Sequence, residues 1–122
     1  MENKNKIKSF TDLIAWQKAH QLVLKVYKIV SNFPKEEIYG LSSQLKRAVI
    51  SVSSNLAEGF SRKTDKDKVQ FYYIALGSLT EVQNLILIAY DLKFIDKKVF
   101  DDLANSTIEI SKLINSLIKS LK

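Results

Sequence analysis

The sequence predicts an all-α fold, an antiparallel four-helix bundle in up-down-up-down order. Apolar residues recur at spacings of three and four in four blocks, as they do in helices that pack side by side. Three glycines and one proline among 122 residues disfavour a loop-rich β fold. The connections between the blocks are short, which favours antiparallel neighbours. A chain of this length can bury one core, so we expect a single domain over residues 1–122.

The first helix is expected over residues 11–33. Thr11 and Asp12 are good N-cap residues, and Pro34 stops the helix because the residue before a proline is pushed out of the helical region. The only histidine, His20, lies on the apolar stripe of this helix. One histidine without partners is more typical of a core or interface residue than of a metal ligand or catalytic base.

The second helix is expected over residues 41–59 and is rich in small side chains. Its segment SVSSN places serines around a valine and ahead of an asparagine. A serine hydroxyl can bond to the carbonyl one turn earlier, so we expect Ser51 and Ser53 to need no other partner. Asn55 is expected to fix the register of the packed helices, as is Glu81 on the next helix.

The third helix is expected over residues 65–92, after a cap at Thr64, and is apolar on almost every side. The stripe expected to face the core holds Tyr72, Ala75, Leu79, Val82, Ile86 and Ala89, and the stripe beside it holds Phe71, Ile74, Leu85, Ile88 and Leu92. An outer stripe holds Tyr73, Leu76, Leu87 and Tyr90. A bundle helix normally turns one side to water, so we expect the outer stripe to be a subunit interface of a homo-oligomer. Tyrosines can also stack on bases, but this spacing in an apolar helix is more typical of core or interface residues.

The fourth helix is expected over residues 96–121 and completes the bundle. One seam of this block holds Phe100, Leu103, Thr107, Ile110, Ile114, Leu117 and Leu121. Lysines near its C-terminal end interact favourably with the helix dipole, which supports the assignment.

The third helix also requires a check for membrane insertion. The segment FYYIALGSLTEVQNLILIAYDL is long enough, at 22 residues, to span a bilayer. Glu81, Gln83 and Asn84 lie at its middle, where polar groups are costly in lipid, so we expect a buried helix of a soluble protein and no membrane partner. The charged N-terminus MENKNKIKSF lacks the apolar core of a signal peptide, which favours a cytoplasmic location.

The sequence contains no residue set typical of catalysis, of a metal site or of a cofactor site. It has no cysteine, so disulfides and thiolate chemistry are excluded. Paired Glu-x-x-His motifs of di-iron bundles, a Gly-x-Ser-x-Gly elbow and a glycine-rich phosphate loop are all absent from it. Glu58 could act as an acid or base if buried, but pairing with Arg62 or Arg47 is the simpler interpretation. We therefore expect no enzymatic activity.

Positive charge is concentrated around the turn between the second and third helices. The chain has 19 lysines and arginines against 13 acids, a net charge of +6. We expect six of these cations to contact nucleic-acid phosphates: Lys46, Arg47, Arg62, Lys63, Lys66 and Lys68. A ring of subunits would repeat this patch and attract RNA or DNA more strongly. The alternative is a loop whose charge only keeps the protein soluble, with the oligomer acting as a scaffold for a protein partner.

Four segments of the chain resemble a single family: WQKAHQL, FPKEEIYGLSSQLKRA, SVSSNLAEGFSR and YIALGSLTEVQ. Together they resemble the four-helix-bundle proteins encoded by intervening sequences in bacterial 23S ribosomal RNA genes, over about residues 10–95. The accessory variability determinant of diversity-generating retroelements looks like a relative of the same family. The most specific part is Asn-Leu-Ala-Glu-Gly followed by Gly-Ser-x-x-Glu-x-Gln.

The resemblance implies a cytoplasmic bundle that assembles into a ring, commonly a pentamer, with no known catalytic activity. It also implies an association with nucleic acid. In the retroelement branch, the ring is a partner of a reverse transcriptase and binds RNA or DNA. Many members carry arginine where this chain has Lys46, and lysine is weaker at bidentate phosphate recognition.

Overall fold

The structure, a computed structural model, describes residues 7–122. Over these residues the chain forms four helices, α1 (Ile14–Val30), α2 (Leu41–Phe60), α3 (Asp65–Asp91) and α4 (Lys97–Ser120). Two short 3-10 turns precede α1 and α2, at Phe10–Asp12 and Lys35–Glu37. No β-strand occurs in the described part of the chain, and the predicted all-α fold is confirmed.

The four helices form a closed antiparallel bundle. Each helix packs against the next one along the chain, and α1 also packs against α4. The antiparallel order of α1 and α4 is visible in two ion pairs, because Lys18 pairs with Glu109 and Lys25 pairs with Asp102. Residue numbers therefore rise along α1 as they fall along α4.

The start of α1 differs from the prediction because a separate turn comes first. Ser9 Oγ accepts a hydrogen bond from the backbone N–H of Thr11, and Asp12 Oδ2 accepts one from the backbone N–H of Ser9. This reciprocal pair caps the turn at Phe10–Asp12 rather than the helix. Helix α1 then begins at Ile14.

The core runs along the inner faces of all four helices. All six residues of the α3 stripe that the sequence assigns to the core are buried: Tyr72, Ala75, Leu79, Val82, Ile86 and Ala89. They pack with buried leucines, valines and isoleucines of the other helices: Leu22, Val26, Leu45, Val49, Val52, Leu56, Leu103, Ile110 and Ile114. The periodicity of the apolar residues therefore identifies the inner face of α3 correctly.

Helix α3 is long and apolar enough to cross a membrane by length and composition alone. Its most apolar window of 18 residues has a mean hydropathy of 1.2, and 33% of that window is buried. The helix packs between α2 and α4, and its exposed side carries Glu81 and Asn84 among apolar residues. One side of α3 is therefore buried in the bundle core, and the other side exposes apolar residues.

Candidate nucleic-acid interface

The α2–α3 loop shares one end of the bundle with the start of α1 and the end of α4. We call residues 7–13, 58–68 and 116–122 the loop end. Lys122 Nζ donates a hydrogen bond to Tyr73 Oη at 3.2 Å, which links the end of α4 to the first turns of α3. The loop end carries seven lysines and arginines against four acids. The connections between α1 and α2 and between α3 and α4 form the opposite end, residues 28–41 and 88–102. This end carries five lysines against six acids.

Two of the four acids at the loop end are held by local partners. Asp12 Oδ2 accepts hydrogen bonds from the backbone N–H groups of Lys8 at 3.0 Å and Ser9 at 3.1 Å. Glu58 Oε2 lies 2.6 Å from Arg62 Nη2, which confirms the predicted pairing of these two residues. The other two acids lie in the first turn of α3, where carboxylates complement the helix dipole. All four acids therefore have a role in the fold of this end.

Two of the predicted phosphate-binding residues make contacts within the protein. The guanidinium of Arg62 lies over the ring of Phe71, 4.4 Å from its centroid, besides its pair with Glu58. Lys68 Nζ donates to the carbonyl of Phe60 at the end of α2 and lies over the ring of that same residue, 5.1 Å from its centroid. Lys68 is partly buried, so it stabilises the turn as well as contributing charge.

Lys63 and Lys66 are exposed and belong to no ion pair within the described residues.

The other two predicted phosphate-binding residues, Lys46 and Arg47, lie away from the loop. Lys46 Nζ lies over the ring of Tyr27 on α1, 4.9 Å from its centroid, whereas the neighbouring Arg47 lines a cleft on the α3 side. Both precede the loop by about 20 Å along α2, given the helical rise. The structure therefore groups four of the six predicted cations and separates Lys46 and Arg47 from them.

Three further cations that the sequence pattern does not point to share the loop end, namely Lys8, Lys119 and Lys122. They come from the first and last segments of the described chain, far from the loop in sequence. The signal was present in the predicted up-down-up-down order, which places the C-terminal end of the fourth helix beside the second connection.

The α2–α3 seam is unusually close, and polar residues hold it. A Cβ atom added to Gly59 would lie 2.7 Å from Cε1 of Tyr72, so only glycine fits there without a shift. About two turns closer to the start of α2, Ser51 Oγ and Ser78 Oγ are 2.7 Å apart and share a hydrogen bond. Asn55 Nδ2 donates to the Ser51 carbonyl at 2.8 Å. Burial raises the pKa of the Tyr72 phenol, which keeps it neutral in this apolar contact.

The expectation that Ser51 needs no partner outside its own helix is wrong. Its hydroxyl bonds across the seam because Ser78 faces it from α3. The same expectation holds for Ser53, whose Oγ donates to the carbonyl of Ile50 at 3.0 Å. Sequence periodicity places both serines on one helix but does not give the register of that helix against its neighbour.

A cleft opens above this seam, with a volume of about 530 Å³. It is lined by Tyr39, Ser43, Gln44, Arg47, Ala48, Ser51 and Glu81. The side chain of Tyr39 is 96% exposed. Tyr39 is not among the residues predicted from the sequence, although an aromatic residue outside every apolar stripe and next to a glycine is a signal of a surface role.

Only two of the four residues of the predicted subunit interface are exposed. Tyr73 and Leu87 are each 48% exposed, but Leu76 packs against the core and Tyr90 stacks on Phe100 with ring centroids 4.9 Å apart. The stripe expected beside the core is also divided, because three of its residues are exposed: Ile74, Ile88 and Leu92. We call the exposed set Tyr73, Ile74, Leu87, Ile88 and Leu92 the outer face of α3.

His20 is exposed rather than part of the core. Its ring stacks on that of Trp16, with centroids 4.7 Å apart and an angle of 15° between the planes. Trp16 in turn meets Phe10 edge to face at 5.2 Å. Within the described residues, no group of three or more His, Asp or Glu side chains could hold a metal ion.

Comparisons with known proteins identify the family. The model of the 23S rRNA-intervening sequence protein family matches residues 11–116. Among solved structures, a protein of unknown function from the S23 ribosomal protein family of Bacteroides thetaiotaomicron VPI-5482 has the same fold, with a TM-score of 0.80 and 20% identity, over 87% of this chain and 96% of that chain. No curated protein matches the sequence. Because the family model covers most of the chain, the protein belongs to the 23S rRNA-intervening sequence protein family.

Proposed function

We propose that this chain is a non-enzymatic, cytoplasmic protein that forms a ring of identical subunits and binds the phosphates of RNA or DNA through its loop end. The observation that carries the proposal is the contrast between the two ends of the bundle. One end has three more cations than acids, and the other has one more acid than cations. A one-sided positive field favours a polyanion on that side.

The chemistry of the loop end suits contacts with the nucleic-acid backbone. Lys63 and Lys66 are exposed on a short loop and the first turn of a helix, so their ammonium groups can reach phosphates at little cost. Lysine acts as a point charge and carries little geometric preference, which fits backbone contacts that do not read sequence. Each neutralised phosphate releases counterions, so log K falls with log salt by roughly 0.7 to 0.9 per contact. A ring would repeat these contacts in every subunit.

RNA is the first ligand to test, because the family description refers to 23S rRNA. Charge reversal of both exposed loop lysines, Lys63→Glu with Lys66→Glu, should lower the affinity for a short RNA by at least tenfold and the salt slope by roughly one to two. Fluorescence anisotropy over a range of salt concentrations measures both quantities. Neither side chain packs against the core, so the fold should be unaffected.

The matched control reverses the charge of two lysines at the opposite end, so that the change in net charge is the same. Lys28→Glu with Lys98→Glu also alters two exposed lysines that belong to no ion pair within residues 7–122. We expect its affinity to stay within about twofold of the unmodified protein once the general effect of net charge is screened by salt. Equal losses in the two variants would reject the loop end as the binding surface.

The second candidate function is a protein-interaction scaffold, and the outer face of α3 favours it. Five large apolar side chains are exposed there in two groups, Tyr73 with Ile74 and Leu87 with Ile88 and Leu92, and exposed apolar patches are uncommon on monomers. We expect a second copy of the chain to cover Tyr73 and Leu87 in the ring and to leave Glu81, which lies toward α2, exposed. The scaffold hypothesis then assigns the remaining surface to another protein and leaves the charge as a source of solubility.

Oligomer formation through the outer face can be tested without disturbing the core. Ile74→Glu with Leu87→Glu places two charges on the face and should shift the mass by light scattering from an oligomer to a monomer, with an unchanged circular dichroism spectrum. Ile14→Glu with Ile108→Glu, at exposed positions of α1 and α4, is the control and should leave the mass unchanged. A monomeric unmodified protein at micromolar concentration would contradict the interface. A stable ring without RNA binding would favour the scaffold.

A further inference from the structure

The cleft above the α2–α3 seam brings together groups that the phosphate-binding proposal does not use. Arg47 and Gln44 line it from α2, and Glu81 lines it from α3. Tyr39 stands at its rim, just before the start of α2. The serine pair Ser51–Ser78 lies at the seam below and fixes the spacing of the two helices at this level.

The two charged groups of the cleft are available to a ligand. Arg47 and Glu81 are both exposed, and neither takes part in an ion pair among the described residues, although they line the same cleft. One cleft is therefore lined both by a planar set of donors, from α2, and by a pair of carboxylate acceptors, from α3. A ligand that satisfies both must itself have adjacent donors and adjacent acceptors.

Among the nucleobases, guanine has this combination. Its N1–H and N2–H groups are adjacent donors that fit a carboxylate, and its O6 and N7 atoms are adjacent acceptors that fit a guanidinium. Adenine, cytosine and uracil lack either the donor pair or the acceptor pair. The phenol ring of Tyr39, almost fully exposed at the rim, provides a surface for base stacking.

We propose that this cleft is a guanine subsite for single-stranded nucleic acid, which rests on the proposed function. Glu81 accepts from the Watson–Crick edge, Arg47 donates to O6 and N7, and Tyr39 stacks on the base. The base must be unpaired, because pairing in a duplex occupies the edge that Glu81 reads. The cleft lies about 20 Å along α2 from the loop end, the length of roughly six stacked nucleotides, so one short strand can reach both surfaces.

The test compares two RNA probes that differ in one base. The first is an oligouridine of about twelve nucleotides, and the second carries a single guanine near its middle, which avoids the four-stranded structures of guanine runs. We expect the unmodified protein to bind the guanine probe roughly tenfold more tightly, the size of effect that one good bidentate base contact produces. The ratio of the two affinities is the readout, because phosphate contacts are the same for both probes and cancel.

Variants of the cleft should remove the ratio. Glu81→Gln keeps the size of the side chain but puts an amide donor where guanine needs an acceptor, and the ratio should fall to about one. The control Glu36→Gln, at an exposed acid outside the cleft, removes the same charge and should keep the ratio near tenfold. Tyr39→Phe should keep the ratio and Tyr39→Ala should lower it. Because Tyr39 is almost fully exposed, neither change should disturb the fold, and circular dichroism checks this.

Each outcome separates the subsite from the phosphate surface. Equal, salt-dependent binding of both probes by the unmodified protein overturns the guanine subsite and leaves the loop end as the phosphate site. A ratio that survives Glu81→Gln also overturns the subsite as assigned here. Failure of both probes to bind at low salt overturns the subsite and the proposed function together.

Discussion

Between α2 and α3 the backbones approach so closely that a methyl group has no room at Gly59, whereas charged side chains bridge a groove between α1 and α4. The α2–α3 seam contains a hydroxyl pair 2.7 Å apart, Ser51 with Ser78. The α1–α4 groove is spanned by Lys25 and Asp102, whose side chains are 42% and 59% exposed. The first seam is fixed by packing and short polar contacts, whereas the surface of the second is bridged by ion pairs in contact with water.

This difference explains where the candidate functional surfaces lie. Exposed ion pairs contribute little free energy and weaken with salt, so the α1–α4 groove is a poor place to hold groups in fixed positions. The α2–α3 seam holds its two helices at a set distance and register. The cleft and the loop end both lie along that seam. The cleft lies beside the N-terminal half of α2, and the loop end lies where α2 ends.

The largest effect is expected at the closest point of the tight seam. Gly59→Ala places a Cβ within 2.7 Å of the Tyr72 ring and 2.9 Å of Phe71 Cβ, so we expect a loss of about 1 to 3 kcal/mol in the free energy of unfolding. Urea denaturation measures it. Gly77→Ala is the control, because nothing lies within 4 Å of its added Cβ, and the better helix propensity of alanine should stabilise the protein by about 0.5 to 1 kcal/mol. Equal effects of the two changes would contradict the close approach.

A smaller effect is expected from the serine pair. Ser51→Ala leaves the Ser78 hydroxyl without its partner across the seam, which should cost about 1 to 2 kcal/mol in the free energy of unfolding. Ser53→Ala removes a hydroxyl that bonds only within its own helix, so its cost should be near zero. The same denaturation experiment compares them. If Ser53→Ala lowers the free energy of unfolding as much as Ser51→Ala does, the hydrogen bond between the helices adds no more stability than one within a helix.

The smallest effect is expected in the α1–α4 groove. A double-mutant cycle with Lys25→Met and Asp102→Asn should give a coupling energy below about 1 kcal/mol, because both side chains are largely exposed. The coupling should disappear near 1 M salt, where the screening length is about 3 Å. A coupling that stays large at high salt would mean that the groove is as rigid as the α2–α3 seam.

The sequence predicts the helices and their inner faces well because burial imposes a period of 3.6 on apolar residues. The core stripe of α3 follows from that period without knowledge of any neighbour. The flanking stripes do not, because the width of the buried face depends on how closely the adjacent helices pack. Ile74 and Ile88 were therefore expected beside the core and are exposed, while Leu76 and Tyr90 were expected outside and are partly buried.

The candidate site is predicted less completely. Arg62, Lys63, Lys66 and Lys68 are close in sequence, so their grouping is a local property. Lys46 and Arg47 are adjacent in sequence but point to different sides of α2, because successive residues on a helix are turned by about 100°. The contributions of α4 to the loop end and the position of Tyr39 beside Glu81 depend on tertiary packing, which no local pattern gives.

Binding of a short single-stranded RNA by the unmodified protein is the most direct test of the central claim that the loop end binds phosphates. Fluorescence anisotropy should be measured between about 50 and 200 mM salt, on protein whose oligomeric mass is determined in the same buffer. The account predicts submicromolar binding at low salt and a loss of at least about tenfold in affinity across this range. Absence of binding at low salt, or binding that does not change with salt, would contradict it.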